Sequence, residues 1–250
     1  MTKYLFLFIL FSFVANGQFE KKSFVVADGK VLPYQIMYPK DYKPSKKYPL
    51  LVVLHGAGER GDDNEAQMKY GANVFIDSLN RINFPAIVIF PQCPKESYWS
   101  SVKINRATVP TTFVFDYAEP INWPLQAVMD LVKSVKHDKK RTYIMGLSMG
   151  GMGTMEAVSR FPKVFAAAMP ICGGADLTYV PKYAHKVPLW VHHGDVDIVV
   201  PVRHSRELVQ AVKAQGVEIR YTEYPQVNHN SWVNAFKQPD LLSWIFSHRK

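Results

Sequence analysis

Gly146-Leu147-Ser148-Met149-Gly150 forms a G-x-S-x-G pattern directly after an apolar run, Thr142 to Met145, and directly before a stretch with helical spacing. Such a context predicts a strand-to-helix turn so tight that side chains two residues either side of the serine would collide with backbone. A serine hydroxyl is a weak nucleophile until a base takes its proton, and the base must be held in one tautomer by an acid. The chemistry these residues could do is acyl transfer through a covalent adduct on Ser148.

The acid and base have candidates downstream. Leu189-Trp190-Val191 runs into His192-His193-Gly194-Asp195-Val196-Asp197, so two acids follow the end of a strand, where open α/β sheets carry their sites. Asp197, followed by Ile198-Val199-Val200-Pro201, is the preferred carboxylate and Asp195 the alternative. Three histidines lie beyond Asp197: His204 opens a helical stretch, His248 is near the chain end, and His229 sits in the polar loop Asn228-His229-Asn230-Ser231. Loops on a rigid sheet carry catalytic groups, which makes His229 the expected base. An oxyanion formed on attack needs donors already in place. The backbone N–H of Met149 supplies one, and the loop His55-Gly56-Ala57-Gly58-Glu59-Arg60-Gly61 the other, with Ala57 preferred and Gly58 the alternative.

These groups need a scaffold, and its elements alternate along the chain. Phe24 to Val26 and Val31 to Tyr38 flank Asp28-Gly29, a turn dipeptide that closes an antiparallel hairpin. Leu50 to Leu54, Ala86 to Phe90, Thr142 to Met145, Phe165 to Met169 and Leu189 to Val191 are continuous apolar runs, the pattern of strands buried on both faces. Helical spacing is expected over Glu65 to Leu79, Leu125 to Val135, Met149 to Arg160, Val202 to Ala214 and Asn234 to His248. Strand alternating with helix predicts an α/β fold, a mostly parallel doubly wound sheet with the N-terminal hairpin as its antiparallel edge. The stretch from Pro94 to Pro124 fits neither pattern and is rich in aromatics. Of these Trp99 and Trp123, together with Trp232 after the base, are the candidates for lining a substrate pocket.

Composition bounds the remaining possibilities. The chain has 250 residues, 48% hydrophobic and 20% charged, with 30 Lys and Arg against 21 Asp and Glu. The basic excess is scattered rather than gathered on one face, which argues against nucleic-acid binding. Only Tyr4 to Val14 is strongly apolar, and it is too short to span a bilayer. With Lys3 before it and Ala15-Asn16-Gly17 after it, it reads as a signal peptide over residues 1–17, leaving 18–250 as a single catalytic domain of a secreted or periplasmic protein with no stable membrane insertion. Cys93 and Cys172 are expected to be packed free thiols. No metal-ligand spacing and no cofactor motif is present, because Gly56-x-Gly58-x-x-Gly61 lacks the ribose-binding acid of a dinucleotide site.

Five segments together, Leu54 to Asn64, Pro91-Gln92-Cys93-Pro94, Gly146 to Gly151, Pro170 to Gly174, and His193-Gly194-x-x-Asp197-x-Val199-Val200-Pro201, carry a family resemblance. They are similar to secreted α/β-hydrolases related to poly(3-hydroxybutyrate) depolymerases, feruloyl and acetylxylan esterases and the phospholipase/carboxylesterase group, relatives also labelled peptidases of prolyl-oligopeptidase type. The resemblance implies an α/β-hydrolase fold, Ser148, Asp197 and His229 as triad, and Ala57 with Met149 as oxyanion hole. It implies an ester substrate, with polysaccharide-linked esters as the leading class. A serine peptidase and a non-catalytic carbohydrate-binding module are the alternatives. The segment from Ser97 to Pro124 matches no part of the family pattern.

Overall fold

The computed structural model describes residues 19–250, and the expected signal segment lies outside the described residues. Glu20–Val25 (β1) and Val31–Met37 (β2) form the antiparallel hairpin around Gly29, whose φ of +83° suits glycine. Leu50–Leu54 (β3), Ile87–Pro91 (β4), Thr142–Leu147 (β7), Ala167–Ile171 (β8) and Trp190–Gly194 (β9) are buried at every position. Arg220–Tyr224 (β10) closes the far edge. The sheet runs β1-β2-β4-β3-β7-β8-β9-β10 and is parallel from β4 onward. The fold is an α/β-hydrolase with an antiparallel N-terminal hairpin.

Both faces are covered, as strands without a polar face require. Trp123–Ser134 (α3), Met149–Arg160 (α4), Val180–Tyr183 (α5) and Arg203–Lys213 (α6) contribute to one core layer; Ala72–Ile76 (α1), Trp232–Ala235 (α7) and Leu241–Ser247 (α8) pack into the other. The strand order reverses between β3 and β7, where Leu54 sits opposite Gly146. Loops leaving two neighbouring strands on opposite sides open a crevice there, and it is this crevice that holds the serine turn and the Gly56–Ala57 loop.

The helix expected over Glu65 to Leu79 is broken. Gly71 adopts φ +86°, and a Cβ on it would stand 2.6 Å from the Phe236 ring. Asp77 then starts Ser78–Asn83 (α2) by accepting from Leu79 N and Asn80 N at 3.0 and 2.9 Å. The stretch Asn234 to His248 likewise divides into α7 and α8. Between Pro94 and Pro124, where no element was expected, Val102–Asn105 (β5) and Thr112–Phe115 (β6) form a separate two-stranded ribbon.

That segment is tied to α4 through one buried carboxylate. Glu156 accepts from Ser100 Oγ at 2.9 Å, Ser101 Oγ at 3.1 Å and Arg160 Nε at 2.7 Å, while Arg160 Nη2 donates to Glu119 O at 2.7 Å. Removing the acid takes away the carboxylate that the Arg160 guanidinium and the Ser100 and Ser101 hydroxyls share. Glu156→Ala is expected to lower stability by about 3 kcal/mol, read as a lower Tm by calorimetry; an unchanged Tm would show that the network does not hold the segment.

Candidate active site

Ser148 joins β7 to α4 at φ +53° and ψ −116°, a conformation that a non-glycine residue holds only when its surroundings enforce it. Here enforcement comes from contact. A Cβ on Gly146 would lie 2.4 Å from Gly150 O, and one on Gly150 would lie 2.1 Å from Leu54 O. Gly150→Ala must therefore push β3 away from α4, and the expected outcome is little soluble folded protein on expression.

His229 Nε2 lies 2.9 Å from Ser148 Oγ and His229 Nδ1 2.7 Å from Asp197 Oδ2. An ionised carboxylate only accepts, so Nδ1 carries the proton and Nε2 is free to accept from the serine. Asp197 Oδ1 accepts from Val199 N at 2.8 Å and Val200 N at 2.9 Å. Burial would raise the Asp197 pKa, but hydrogen bonds from His193 and His229, the His229 charge and the Val200 N–H outweigh it and hold this carboxyl well below the usual range. Asn228 Oδ1 links the two loops by accepting from His229 N at 2.7 Å and Ile198 N at 3.1 Å. Asp195 is not at the histidine; its Oδ1 is buried without a hydrogen-bond partner among the described residues.

A second histidine faces Asp197 from behind. His193 is buried, its Nε2 2.9 Å from Val200 O and 3.2 Å from Asp197 Oδ2, its Nδ1 2.7 Å from Ser205 Oγ on α6. Both oxygens near Nε2 are acceptors, so that nitrogen carries a proton. His193→Asn, whose amide reaches only the Nδ1 position, is expected to lower kcat roughly 10-fold to 100-fold with KM little changed, whereas His193→Gln restores a donor near Nε2 and most of kcat. Equal losses in both variants would make the residue a packing element alone.

On the other side of the crevice, Ala57 opens a short 3-10 turn, Ala57–Glu59, and Met149 opens α4, so both N–H groups are in the first turn, where helices leave donors unused. His55 sets the direction of the first of them. Its Nε2 accepts from Cys93 N at 2.9 Å, so Nδ1 carries the proton and donates to Gly56 O at 2.6 Å. Gly56 C=O and Ala57 N–H belong to one trans peptide and point opposite ways, so fixing the carbonyl aims the N–H. Burial drives the His55 pKa down to about 4, and the ring stays neutral. Nothing in its sequence position singled out His55, which reads there as the start of a glycine loop.

Ser148 and His229 open into a cavity of about 510 Å³ lined by Ala57, Tyr70, Tyr98, Arg106, Phe113 and Trp232, among others. Of the three tryptophans expected there, only Trp232 lines it, its ring edge-on to His229 at 5.3 Å. Trp99 is a correction: it is fully buried, donates from Nε1 to His55 O at 3.2 Å, and packs where a Cβ on Gly153 of α4 would be 2.5 Å away. Trp123 is the second correction, because it lines a different cleft. Tyr98 and Phe113 take their place, from the segment whose aromatics were noted, and Tyr70 and Arg106 had no signal.

Cys93 and Cys172 are free and buried. Among the described residues, three metal-capable donors, those of Cys172, Asp197 and His229, come within 4.8 Å of one another. Two already hydrogen-bond each other, and burial pushes the Cys172 thiol far up, away from the thiolate a metal requires. The donor set does not fit a metal ion. Among the described residues no helix is long and apolar enough to cross a membrane.

A doubly wound sheet, a serine on a strained turn after its central strand and a histidine hydrogen-bonded between that serine and an aspartate define an α/β-hydrolase. More narrowly, the chain belongs to the esterase family, whose model, described as "Putative esterase", matches residues 29–199. It is similar to the bifunctional acetylxylan esterase/xylanase XynS20E of Neocallimastix patriciarum, 28% identical over 162 residues, which are 65% of this chain and 21% of that one. It is similar to the carboxylesterase SOBER1 of Arabidopsis thaliana, 25% identical over 78% of this chain and 88% of that one. A crystal structure of a thermostable esterase superposes with a TM-score of 0.83 at 38% identity, covering 93% of this chain and 63% of the other. The chain thus spans about a fifth of XynS20E and under two thirds of the thermostable esterase. Peptidases share the fold: dipeptidyl peptidase 4 of Porphyromonas gingivalis superposes at TM-score 0.67 with 16% identity, over 93% of this chain and 36% of that one.

Proposed function

We propose that the protein is a secreted serine carboxylic-ester hydrolase acting through an acyl-enzyme on ester decorations of plant polysaccharides, acetyl or feruloyl. The observation that carries this reading is the continuous hydrogen-bonded line Ser148–His229–Asp197 opening into an aromatic cavity. Ser148 Oγ attacks the ester carbonyl as His229 Nε2 takes its proton, and Asp197 stabilises the imidazolium that forms. The carbonyl oxygen becomes an oxyanion facing the N–H groups of Ala57 and Met149. Collapse breaks the bond to the alcohol, which takes the proton back from His229; water then repeats the cycle on the acyl-serine. Single domain organisation over 18–250 and export after cleavage at Gly17 belong to the same reading.

The peptidase alternative shares every one of these groups, and the difference lies in the leaving group. An alkoxide departs with modest help, whereas an amine must be protonated while a peptide is held in register along an extended cleft. The aromatic walls Tyr70, Tyr98, Phe113 and Trp232 suit an aryl acyl group or a sugar ring. The deciding experiment runs acetyl, feruloyl, short-chain aryl and peptide-anilide substrates on the purified mature protein, with Ser148→Ala as control. Esters are expected to dominate and to be lost in the variant. A higher kcat/KM on anilides, also lost in Ser148→Ala, would establish the peptidase instead. N-terminal sequencing of exported protein is expected to begin at Gln18, and an intact Met1 would overturn the signal assignment.

A further inference from the structure

The cleft lined by Trp123 is separate from the catalytic cavity and nearly equal to it, about 480 Å³ against about 510 Å³. One residue contacts the linings of both. Arg60 Nε donates to Ala57 O at 3.0 Å and its guanidinium lies 5.6 Å from the Tyr98 ring, both residues of the catalytic cavity. The same guanidinium donates through Nη1 to Lys95 O at 2.9 Å, and Lys95 lines the Trp123 cleft. Arg60 thus ties a residue of one lining to residues of the other, and a ligand that occupies both spaces must be long.

The lining names the chemistry of that ligand. Trp123 is half-buried, packs partly against the core and contributes its indole to the lining of the cleft. Around it stand Lys30, Asp62, Lys95 and Glu96, two cations and two anions. Lys30 Nζ, paired with Asp28 at 2.6 Å, lies over the indole ring, 5.7 Å from its centroid, on an exposed side chain that a ring stacking on Trp123 would displace. Asp62, Lys95 and Glu96 are exposed and form no ion pair among the described residues. A balanced set of charges has no net attraction for a polyanion or a polycation. It does offer donors and acceptors around an aromatic plate, the combination that holds a ring with an apolar C–H face and a rim of hydroxyls.

We propose that the Trp123 cleft is a second, saccharide-binding subsite, which holds the neutral sugar chain of an esterified polysaccharide while its ester group lies at Ser148. This rests on the esterase reading and deepens it: the enzyme acts on a polymer or long oligomer, and residues beyond the esterified sugar contribute to kcat/KM. Trp123 stacks on a sugar ring, and Asp62 and Glu96 accept from its hydroxyls. The substrate-binding role expected for Trp123 is thereby assigned to the polymer track.

The test is chain length. For feruloylated or acetylated xylo-oligosaccharides, kcat/KM is expected to rise with the number of xylose units. In Trp123→Leu, which keeps an apolar group on the core, that rise flattens by roughly 10-fold for the longest substrates, while hydrolysis of 4-nitrophenyl acetate is unchanged. Asp62→Asn/Glu96→Gln, both on exposed positions, flattens it without touching the indole or the core. Independently of turnover, Ser148→Ala is expected to bind unesterified xylohexaose, with Kd weakened to a similar extent by Trp123→Leu. The same length dependence in all variants, or equal losses on 4-nitrophenyl acetate, would overturn the proposal, as would binding of a neutral hexapeptide in place of xylohexaose. If no ester is hydrolysed, the esterase reading fails by itself, and the xylohexaose titration still decides the subsite.

Discussion

His229→Ala is expected to lower kcat on an ester by about 10⁴-fold to 10⁶-fold with little change in KM or in Tm. The reason is the geometry of one proton: Nε2 stands 2.9 Å from Ser148 Oγ, and a methyl group there leaves the hydroxyl with no acceptor as it attacks. Substrate still binds against Tyr98 and Trp232, and the donors of Ala57 and Met149 are still in place, so what is lost is stabilisation of the transition state alone. Asp197→Asn should cost about 10⁴-fold by offering Nδ1 a group that no longer enforces one tautomer. Asp195→Asn should be close to neutral, since its carboxyl is not at the histidine. Stopped-flow release of 4-nitrophenol reads the acylation step directly. Full activity in His229→Ala, or a larger loss in Asp195→Asn than in Asp197→Asn, would remove the triad assignment.

The parts of this site that sequence makes legible are those set by strict local rules. Gly146 and Gly150 announce the turn because a side chain on the first would meet Gly150 O and one on the second Leu54 O, and the buried runs of β3, β7 and β8 announce the sheet because a parallel strand has no polar face. What stayed hidden depends on partners remote in the chain. Tyr98 and Trp99 are adjacent, and which of them faces the cavity is a matter of one residue of register, settled by Glu156 taking Ser100 and Ser101 onto α4. The stop at Gly71 depends on the Phe236 ring, far away in sequence. His55 and His193 act through backbone carbonyls and an α6 serine that no spacing rule connects to them. The β5–β6 ribbon escaped notice because each of its strands is four residues long and alternates over barely two periods.

Acid is expected to unfold the protein near pH 4 through histidines other than His229. His192 is buried beside Trp190, its Nδ1 2.9 Å from Tyr224 OH and its Nε2 without a hydrogen-bond partner among the described residues. Burial first, and then the Arg220 charge, push its pKa down to about 3. Burial pushes His55 down to about 4 as well, and His204, with Arg203 and His193 nearby, to about 4. In the unfolded chain each takes up a proton near pH 6.5. Between pH 6.5 and about 4 the unfolded state therefore binds more protons than the folded one, and stability falls as pH falls, by up to about 1.4 kcal/mol per pH unit for each histidine. His55 and His192 alone remove on the order of 5 kcal/mol over that window, comparable to the whole stability of many domains. Asp197 acts at lower pH: its depressed pKa contributes stability that is complete above about pH 4 and is lost as pH falls toward the folded value, so it adds to the collapse only after the histidines have begun it. Urea unfolding at half-unit steps from pH 7 to pH 4 measures the slope. His192→Phe keeps an aromatic ring on Trp190 and removes the titration, so its slope is expected to be shallower by about 1.4 kcal/mol per pH unit. Parallel slopes in the two proteins would mean that His192 is already protonated in the fold, and that its buried nitrogen has found an acceptor.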